Sequence, residues 1–321
     1  MALFELLLRF EPIHARLPVP STGGPNPRWE YKLASLRERP SPLAPVDCFF
    51  VGSSMVDNGL DPAAFATAYA GKSGARLTCF NLGAAGLTAS GTAVVADYLT
   101  THYRPRLIVY GTALRDFLAA ESAMNAARMD SAWLRYERGE FSPNGWLVAH
   151  SQAYGQLLTW RNWTNIDFGD FRHNMTLQML APYGYTNAYL GHALAIDLAR
   201  PPVQDTEAGF DLFRRVAELE PGEVEALKTL ASLKQHGVKL VVVDMPLHPT
   251  YFGYLPGGET EYDNRMSAVY RAVAAAGLPL IKRHGQPEIP TAGWFDRNHL
   301  NGRGATTLST WLGTQIGQQK P

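Results

Sequence analysis

Five short apolar segments, each ending in a glycine-containing or polar turn, constrain the fold of this chain most strongly. They occupy residues 48–51, 76–83, 106–112, 238–245 and 279–281. Apolar runs of this length are typical of buried strands. Helical stretches follow the early strands, near residues 61–70, 88–103 and 117–139. Because strands that alternate with helices form parallel sheets with right-handed crossovers, we predict a three-layer α/β/α sandwich with a five-stranded parallel sheet.

The rest of the chain is organised around this predicted domain. With 321 residues and 46% hydrophobic content, the chain can form one α/β core and a further lobe. We predict an N-terminal helical segment and linker over residues 1–45, an α/β domain over 46–318, and a helical insertion at about 120–205. The insertion is rich in aromatic residues, which either line an acyl or sugar pocket or form the insertion's own core. They are Trp133, Trp146, Trp160, Trp163, Tyr136, Tyr154, Tyr183, Tyr185 and Tyr189.

Ser54 follows the first predicted strand, where the chain leaves the sheet. Gly52 would permit a sharp turn at this point. Ligands of open parallel sheets bind beyond the carboxyl ends of the strands, so Ser54 has the position of a nucleophile. An ordinary helix N-cap serine is the alternative interpretation.

A late Asp-x-x-His motif supplies the partners that a nucleophilic serine requires. Asp296 and His299 lie just before the last predicted helix. A serine needs a base to accept its proton, and the histidine needs a carboxylate that fixes its tautomer and stabilises the imidazolium. We therefore predict a catalytic triad of Ser54, His299 and Asp296.

The order of these motifs resembles that of the SGNH hydrolase superfamily, also called the GDSL family. Gly52-Ser53-Ser54 is similar to its first block, Asn81-Leu82-Gly83-Ala84-Ala85-Gly86 to its second, and Asp296 with His299 to its last. The resemblance covers roughly residues 46–118 and 238–318. It implies a flavodoxin-like sheet, Ser54 as nucleophile, and an oxyanion hole formed by backbone N–H groups of Ser54 and Gly86.

Two positions depart from the family pattern. Ser53 stands where the first block usually has Asp, and Ala113 replaces the Asn of the third block, which would donate a side-chain N–H. The Gly-Ser-Ser start resembles a divergent branch that includes acyl-transfer proteins of bacterial envelopes, such as those for D-alanyl transfer to teichoic acid and for exopolysaccharide acetylation.

The resemblance implies a serine-dependent ester hydrolase or O-acyltransferase acting on acylated saccharides or cell-envelope polymers. The acyl donor and acceptor are left open. A catalytically weak or inactive SGNH-like binding subunit of a polysaccharide assembly system is the alternative, because Ala113 removes one oxyanion donor. A nucleotide-binding protein is disfavoured because residues 81–86 contain only Gly-x-x-Gly, without the full Gly-x-Gly-x-x-Gly fingerprint.

Two further residues are candidate substrate-binding groups. Arg115 follows the third strand and could replace the missing oxyanion donor, bind an anionic part of a substrate, or form a surface salt bridge with Asp116. His248 follows the fourth strand and could meet the substrate, or be a loop histidine that binds backbone.

The composition of the chain restricts the classes of partner and cofactor that we expect it to bind. The formal net charge is zero and no basic run is present, which argues against nucleic acid as a partner. Cys48 and Cys79 are predicted to be buried core residues, and no His, Cys and carboxylate cluster has metal-ligand spacing, so we expect no cofactor and no metal.

Residues 1–10 predict an amphipathic helix that packs on the domain or lies on a membrane. The sequence leaves two properties open: whether the protein is associated with the bacterial envelope or lies in the cytoplasm, and its oligomeric state.

Overall fold

The computed structural model describes residues 2–14, 17, 20–23, 27–37, 46–118, 131–164, 182–185, 198 and 219–319. The chain divides into two compact units. The helical unit comprises Met1–Leu43 and Ala126–Thr186, and the sheet unit comprises Ala44–Asn125 and Asn187–Pro321. The helical unit thus combines the N-terminal segment with much of the segment predicted as an insertion.

A five-stranded parallel sheet forms the centre of the sheet unit, as predicted. Its strands are β1 (Cys48–Gly52), β2 (Cys79–Asn81), β3 (Leu107–Thr112), β4 (Lys239–Asp244) and β5 (Leu280–Ile281). The spatial order is β2-β1-β3-β4-β5 and every neighbouring pair is parallel. This is the flavodoxin-like order, in which the direction of winding reverses at β1 and β3. In sheets of this order, ligands generally bind beyond the carboxyl ends of the strands at this point.

Helices cover both faces of the sheet, which explains why its central strands are almost continuously apolar. Helix Pro62–Ser73 packs with the last helix, Gly302–Gln318. Helix Ala89–Tyr103 packs with helix Pro221–Ser232, which also contacts helix Gly258–Ala275. Every residue of β1 and β3 is buried. The three-layer α/β/α architecture is therefore the one predicted.

Local sequence explains the ends of these helices. Asp61 caps helix Pro62–Ser73 by accepting hydrogen bonds from the N–H groups of Ala63 and Ala64. Glu223 supplies a second capping carboxylate from a different helix. Its side chain is fully buried and accepts hydrogen bonds from Ser90 N at 2.6 Å and from the Thr88 hydroxyl at 3.0 Å. The helices on that face are thus joined by charged hydrogen bonds as well as by apolar packing.

The predicted strand at residues 76–83 is shorter in the structure. β2 comprises only Cys79–Asn81, and Cys79 lies directly opposite Cys48 on β1. Both cysteines are buried free thiols, and burial raises the pKa of Cys48 well above its usual value. The predicted helix near 117–139 lies partly outside the described residues; its described end contains helix Ala132–Glu137.

The helical unit contains short helices that hold the N-terminal segment. They are Ala2–Arg9, Glu11–His14, Pro27–Arg37, Ala132–Glu137, Pro143–His150 and Gln152–Thr164, with a 3-10 turn at Pro182–Gly184. Glu5 accepts hydrogen bonds from Gln152 N at 2.7 Å and Ala153 N at 3.0 Å, at the start of helix Gln152–Thr164. A carboxylate at this position also interacts favourably with the helix dipole.

The aromatic residues of the helical unit differ in exposure. Trp133 is buried, whereas Trp146 and Trp160 are exposed. The side chains of Trp163 and Tyr189 lie outside the described part of the chain. The proposed pocket role of these aromatics therefore stays a prediction. No helix among the described residues is long and apolar enough to cross a bilayer.

Candidate active site

The turn after β1 places Ser54 at the carboxyl edge of the sheet. Gly52 has a φ of 143°, and a Cβ at this position would lie 2.2 Å from the carbonyl oxygen of Gly111 on β3. Only glycine fits this close approach. The chain then enters helix Ser54–Gly59, whose N-cap is Ser53. Ser54 is therefore the first helical residue and not the cap, so the N-cap interpretation of Ser54 is wrong.

The loop after β2 lies against this short helix. The Asn81 amide donates hydrogen bonds to the carbonyl oxygens of Val56 at 2.8 Å and Leu60 at 2.7 Å. Its carbonyl oxygen accepts from Gly83 N at 2.8 Å. A Cβ on Gly83 would lie 2.3 Å from the Asp57 nitrogen. Glycine at this position therefore allows the backbone after β2 to contact the backbone of helix Ser54–Gly59. Asn81 thus fixes the position of the helix that begins with Ser54.

The loop that carries Asp296 and His299 is closed by backbone pairing. Trp294 and Leu300 form an isolated antiparallel bridge, and Phe295 N donates to His299 O at 2.9 Å. Asn301 then caps the last helix by accepting from the N–H groups of Arg303 and Gly304. Asp296 and His299 therefore lie on a short hairpin held at both ends.

The structure brings the three predicted triad residues together. His299 Nε2 lies 2.7 Å from Ser54 Oγ, and His299 Nδ1 lies 2.8 Å from Asp296 Oδ2. Asp296 Oδ1 accepts from the backbone N–H groups of Asn298 at 2.9 Å and His299 at 2.7 Å. All three side chains are half-buried, so a substrate can reach the hydroxyl. This arrangement can transfer a proton from Ser54 to His299 beside a fixed negative charge.

The charge of Asp296 is stabilised by its partners. Burial opposes ionisation, yet the hydrogen bond and charge of His299 and the backbone N–H groups hold the pKa of Asp296 below its usual 3.8. Asp296 is therefore ionised at neutral pH. An ionised carboxylate at Nδ1 fixes the tautomer in which Nε2 accepts a proton.

The predicted oxyanion donors are backbone groups near Ser54. Within the described residues, neither Ser54 N nor Gly86 N donates a hydrogen bond. The loop that carries Gly86 is held close to β1, because Ala84 N donates to Gly52 O at 2.9 Å. Ala113 is buried and offers no side-chain donor.

His248 packs against the loop that carries Asp296. Its backbone N donates to Arg297 O at 2.9 Å, and its ring meets Trp294 edge-on at 5.5 Å between centroids. His248 Nδ1 lies 2.8 Å from the Thr250 hydroxyl and also accepts from Thr250 N. Burial and the nearby Arg297 charge lower the pKa of His248. These contacts are those of a loop histidine that binds backbone; its predicted contact with substrate stays a prediction.

Arg115 is half-buried in the 3-10 turn Leu114–Phe117 after β3. The neighbouring Asp116 accepts hydrogen bonds from Ala113 N at 2.9 Å and the Thr112 hydroxyl at 3.2 Å. Asp116 therefore acts as the internal brace of this turn. Substrate binding by Arg115 stays a prediction.

Asn298 lies beside the candidate triad and was not among the predicted site residues. Its Nδ2 lies 3.5 Å from His299 Nε2, the nitrogen that faces Ser54. This proximity follows from the hairpin geometry, which the Asp-x-x-His spacing alone does not specify.

Acidic and histidine side chains also meet elsewhere in the sheet unit, at Glu259, Asp263 and His284. Arg283 already binds both carboxylates, at 2.8 Å to Glu259 and 2.6 Å to Asp263. Arg283 Nη2 also lies 3.3 Å from His284 Nε2, so one guanidinium contacts all three side chains. These side chains therefore fit an ion-pair network better than a metal site.

Comparison with known proteins gives low similarity. The chain matches no protein-family model and no curated protein. It is similar to two solved structures of an aryl esterase from M. Smegmatis. The inhibitor-bound form shows 11% identity and a TM-score of 0.38, and the native form 12% and 0.36. A carbohydrate acetylesterase family member from Sinorhizobium meliloti shows 12% identity and a TM-score of 0.35. Each comparison covers 84% of this chain and 97% of the other.

Proposed function

We propose that this protein is a serine ester hydrolase or O-acyltransferase of the SGNH type. The observation that carries the proposal is the continuous hydrogen-bonded series from Ser54 Oγ through His299 to Asp296. Such a series activates a hydroxyl that is otherwise a weak nucleophile at neutral pH. The substrate class is an acyl ester, on a saccharide or an envelope polymer.

In the first half-reaction, Ser54 Oγ attacks the carbonyl carbon of the ester while His299 Nε2 accepts the hydroxyl proton. The tetrahedral intermediate collapses, the bond between carbonyl carbon and alcohol oxygen breaks, and Nε2 returns the proton to the leaving alcohol. The acyl group then remains on Ser54. Asp296 keeps the imidazole oriented and stabilises its positive charge during both transfers.

In the second half-reaction, an acceptor hydroxyl gives its proton to His299 Nε2 and attacks the acyl-Ser54 carbonyl. Water as the acceptor yields a carboxylic acid, and a sugar hydroxyl yields a new ester. Ser54 recovers its proton from Nε2. The choice between hydrolysis and transfer depends on how well the site excludes water.

Backbone N–H groups of Ser54 and Gly86 are the proposed oxyanion donors. Ala113 removes the side-chain donor that related proteins place at this position. Loss of one oxyanion donor typically lowers turnover by about 100-fold to 1000-fold. We therefore propose a slow enzyme rather than an efficient one.

The alternative is an SGNH-like binding subunit without useful turnover. The specific observation in its favour is Ala113, which is buried and cannot hydrogen-bond to an oxyanion through its side chain. In this alternative the triad geometry persists but the intermediate is too poorly stabilised for turnover.

Labelling with a fluorophosphonate tests the proposal, because serine attack on phosphorus displaces fluoride and leaves a stable adduct. We expect the native protein and Ser53→Ala to be labelled and Ser54→Ala to remain unlabelled. Ser53 is the matched control, since it is adjacent and its buried hydroxyl has no hydrogen-bond partner among the described residues. Absence of labelling in the folded native protein would favour the binding subunit.

A further inference from the structure

An open cleft of about 1030 Å³ lies at the amino edge of the sheet. Leu107 at the start of β3 and Lys239 at the start of β4 lie in its wall. Ser54 follows the carboxyl end of β1, and the strands are parallel. The cleft is therefore at the opposite end of the sheet from the candidate active site and belongs to no part of it.

The lining of this cleft is strongly basic. It contains Lys72, Arg106, Lys234 and Lys239 and no aspartate or glutamate. These four residues come from three separate parts of a chain whose formal net charge is zero, around residues 72, 106 and 234–239. Their grouping is therefore a property of the fold and not of the composition.

None of these four cations forms an ion pair within the part of the chain that the structure describes. Lys234 Nζ donates to the carbonyl oxygen of Gly277, and Arg106 Nη1 lies 3.4 Å from Arg76 O. Carbonyl oxygens satisfy donors without neutralising the charge. Asp47 is the carboxylate nearest in sequence to β1 at this edge, and it accepts from Thr78 N at 2.7 Å without lining the cleft.

Two helices end at the cleft and bring no acidic side chain to it, and their carboxyl ends contribute only a partial negative charge that is smaller than the charge of the four cations. Helices Pro62–Ser73 and Gly302–Gln318 both contribute lining residues and contain no acidic residue. Unpaired positive charges that share a concave surface raise the local potential and attract anions. Burial lowers the pKa of Lys239, as expected for an ammonium group that lacks a counter-charge.

We propose that this cleft binds an acidic polysaccharide, with the four cations contacting carboxylate or phosphate groups of successive residues. The volume is at the upper end of the range for small-molecule sites, roughly 300–1,000 Å³, so a single inorganic anion would leave it mostly empty. Gln318 and Gln319 add amide groups that suit sugar hydroxyls. The cleft thus holds a polymer at a distance from Ser54.

The test measures binding of the full-length protein to polygalacturonate, with neutral dextran as the comparison polymer. We expect saturable binding to polygalacturonate that weakens as salt is added, and no binding to dextran. The double variant Lys72→Gln with Lys234→Gln removes two exposed cations. We expect it to weaken binding roughly tenfold, with each lost charge contributing about equally. Circular dichroism verifies that each variant is folded.

Lys228→Gln is the matched control, because Lys228 is an exposed lysine that pairs with Glu225 and does not line the cleft. It should bind like the native protein. Ser54→Ala should also bind normally, which separates this proposal from the proposed catalysis. Equal binding by the double variant, absence of binding, or equal binding to dextran would overturn the proposal. Tighter binding of single-stranded DNA than of polygalacturonate at the same salt would replace the acidic glycan with a nucleic acid.

Discussion

Asp296 holds both the ring and the backbone of His299. One carboxylate oxygen lies 2.8 Å from Nδ1, and the other lies 2.7 Å from the backbone nitrogen. The carboxylate thus fixes the hairpin and the imidazole at the same time. The proposed catalysis and the local stability therefore both depend on the charge of Asp296.

For Asp296→Asn we expect a loss of ester turnover of about 10³–10⁴-fold, because the amide favours the wrong histidine tautomer. Folding should also weaken by about 1–3 kcal/mol at neutral pH. The folded-state pKa of Asp296 is lowered, so this stabilisation is present above pH 3.8 and is lost as the pH falls through the lowered value. Urea unfolding of both proteins between pH 3 and pH 7 checks this. An unchanged stability difference across that range would contradict the assignment.

Gly83→Ala should be strongly destabilising. The new Cβ would lie 2.3 Å from the Asp57 nitrogen and 2.7 Å from its Cα, and backbone atoms cannot move aside cheaply. We expect a loss of about 2–4 kcal/mol in the free energy of unfolding. Gly71→Ala is the control, since Gly71 lies in helix Pro62–Ser73 with open space around its Cβ position. That substitution should stabilise the protein by about 0.5–1 kcal/mol. Equal effects at both positions would refute the packing explanation.

Asp244 provides a pH-dependent effect of opposite sign. Burial raises its pKa to about 6, although Tyr270 donates a hydrogen bond at 2.5 Å to the carboxylate. A raised folded-state pKa means that stability is highest below pH 3.8 and falls as the pH rises through about 6. Asp244→Asn should therefore gain stability over the native protein between pH 5 and pH 8, by up to about 3 kcal/mol. Thermal unfolding at a series of pH values measures this, and a gain independent of pH would count against the shift.

Asn298→Ala tests the amide beside the reacting atoms. An oxygen that exchanges a proton with His299 Nε2 lies about 2.8 Å from it, which brings that oxygen within reach of Asn298 Nδ2. We expect the release of the acyl group from Ser54 to slow about tenfold, while fluorophosphonate labelling changes little. Pre-steady-state kinetics with a p-nitrophenyl ester separates formation of acyl-Ser54 from its release. Equal slowing of both steps would indicate a general disturbance of the hairpin.

The N-terminal helix presents apolar side chains to solvent. Glu5 fixes its orientation, and Leu6 and Phe10 are 65% and 59% exposed. We expect the protein to sediment with phosphatidylglycerol-containing vesicles, and Leu6→Glu with Phe10→Glu to reduce that binding at least tenfold. Thr306→Glu, an exposed substitution on the last helix, should have no effect. Binding that survives the double substitution would exclude this helix as the membrane contact.

Much of the fold follows from local pattern. The apolar runs at residues 48–51 and 106–112 are too short for helices and end in glycine-containing turns, so their length and flanking residues identify them as strands. The structure buries every residue of both strands. Asp296 and His299 are three residues apart, so their contact depends mainly on local backbone. The contact of Ser54 with His299 was predicted because both residues lie in motifs that resemble blocks of one family pattern.

Other features depend on tertiary contacts that leave no local signal. In the sequence, Asn81 has the pattern of an ordinary turn residue. In the structure its amide donates hydrogen bonds to two carbonyl oxygens of residues 56–60. The basic cleft gathers residues from distant parts of the chain, and none of them lies in a basic run. The exposure of Leu6 depends on Glu5 binding a helix almost 150 residues away. Sequence spacing cannot report these relationships.

Ser54 and His299 are separated by 245 residues. At synthesis rates of about 5–20 residues per second, Ser54 is added to the chain roughly 12–50 s before His299. Throughout that interval the nascent chain carries a serine without a partner and cannot attack esters. Under the proposed mechanism the hydroxyl becomes reactive only after the hairpin that carries His299 has been made and has docked, so the order of synthesis delays the proposed chemistry.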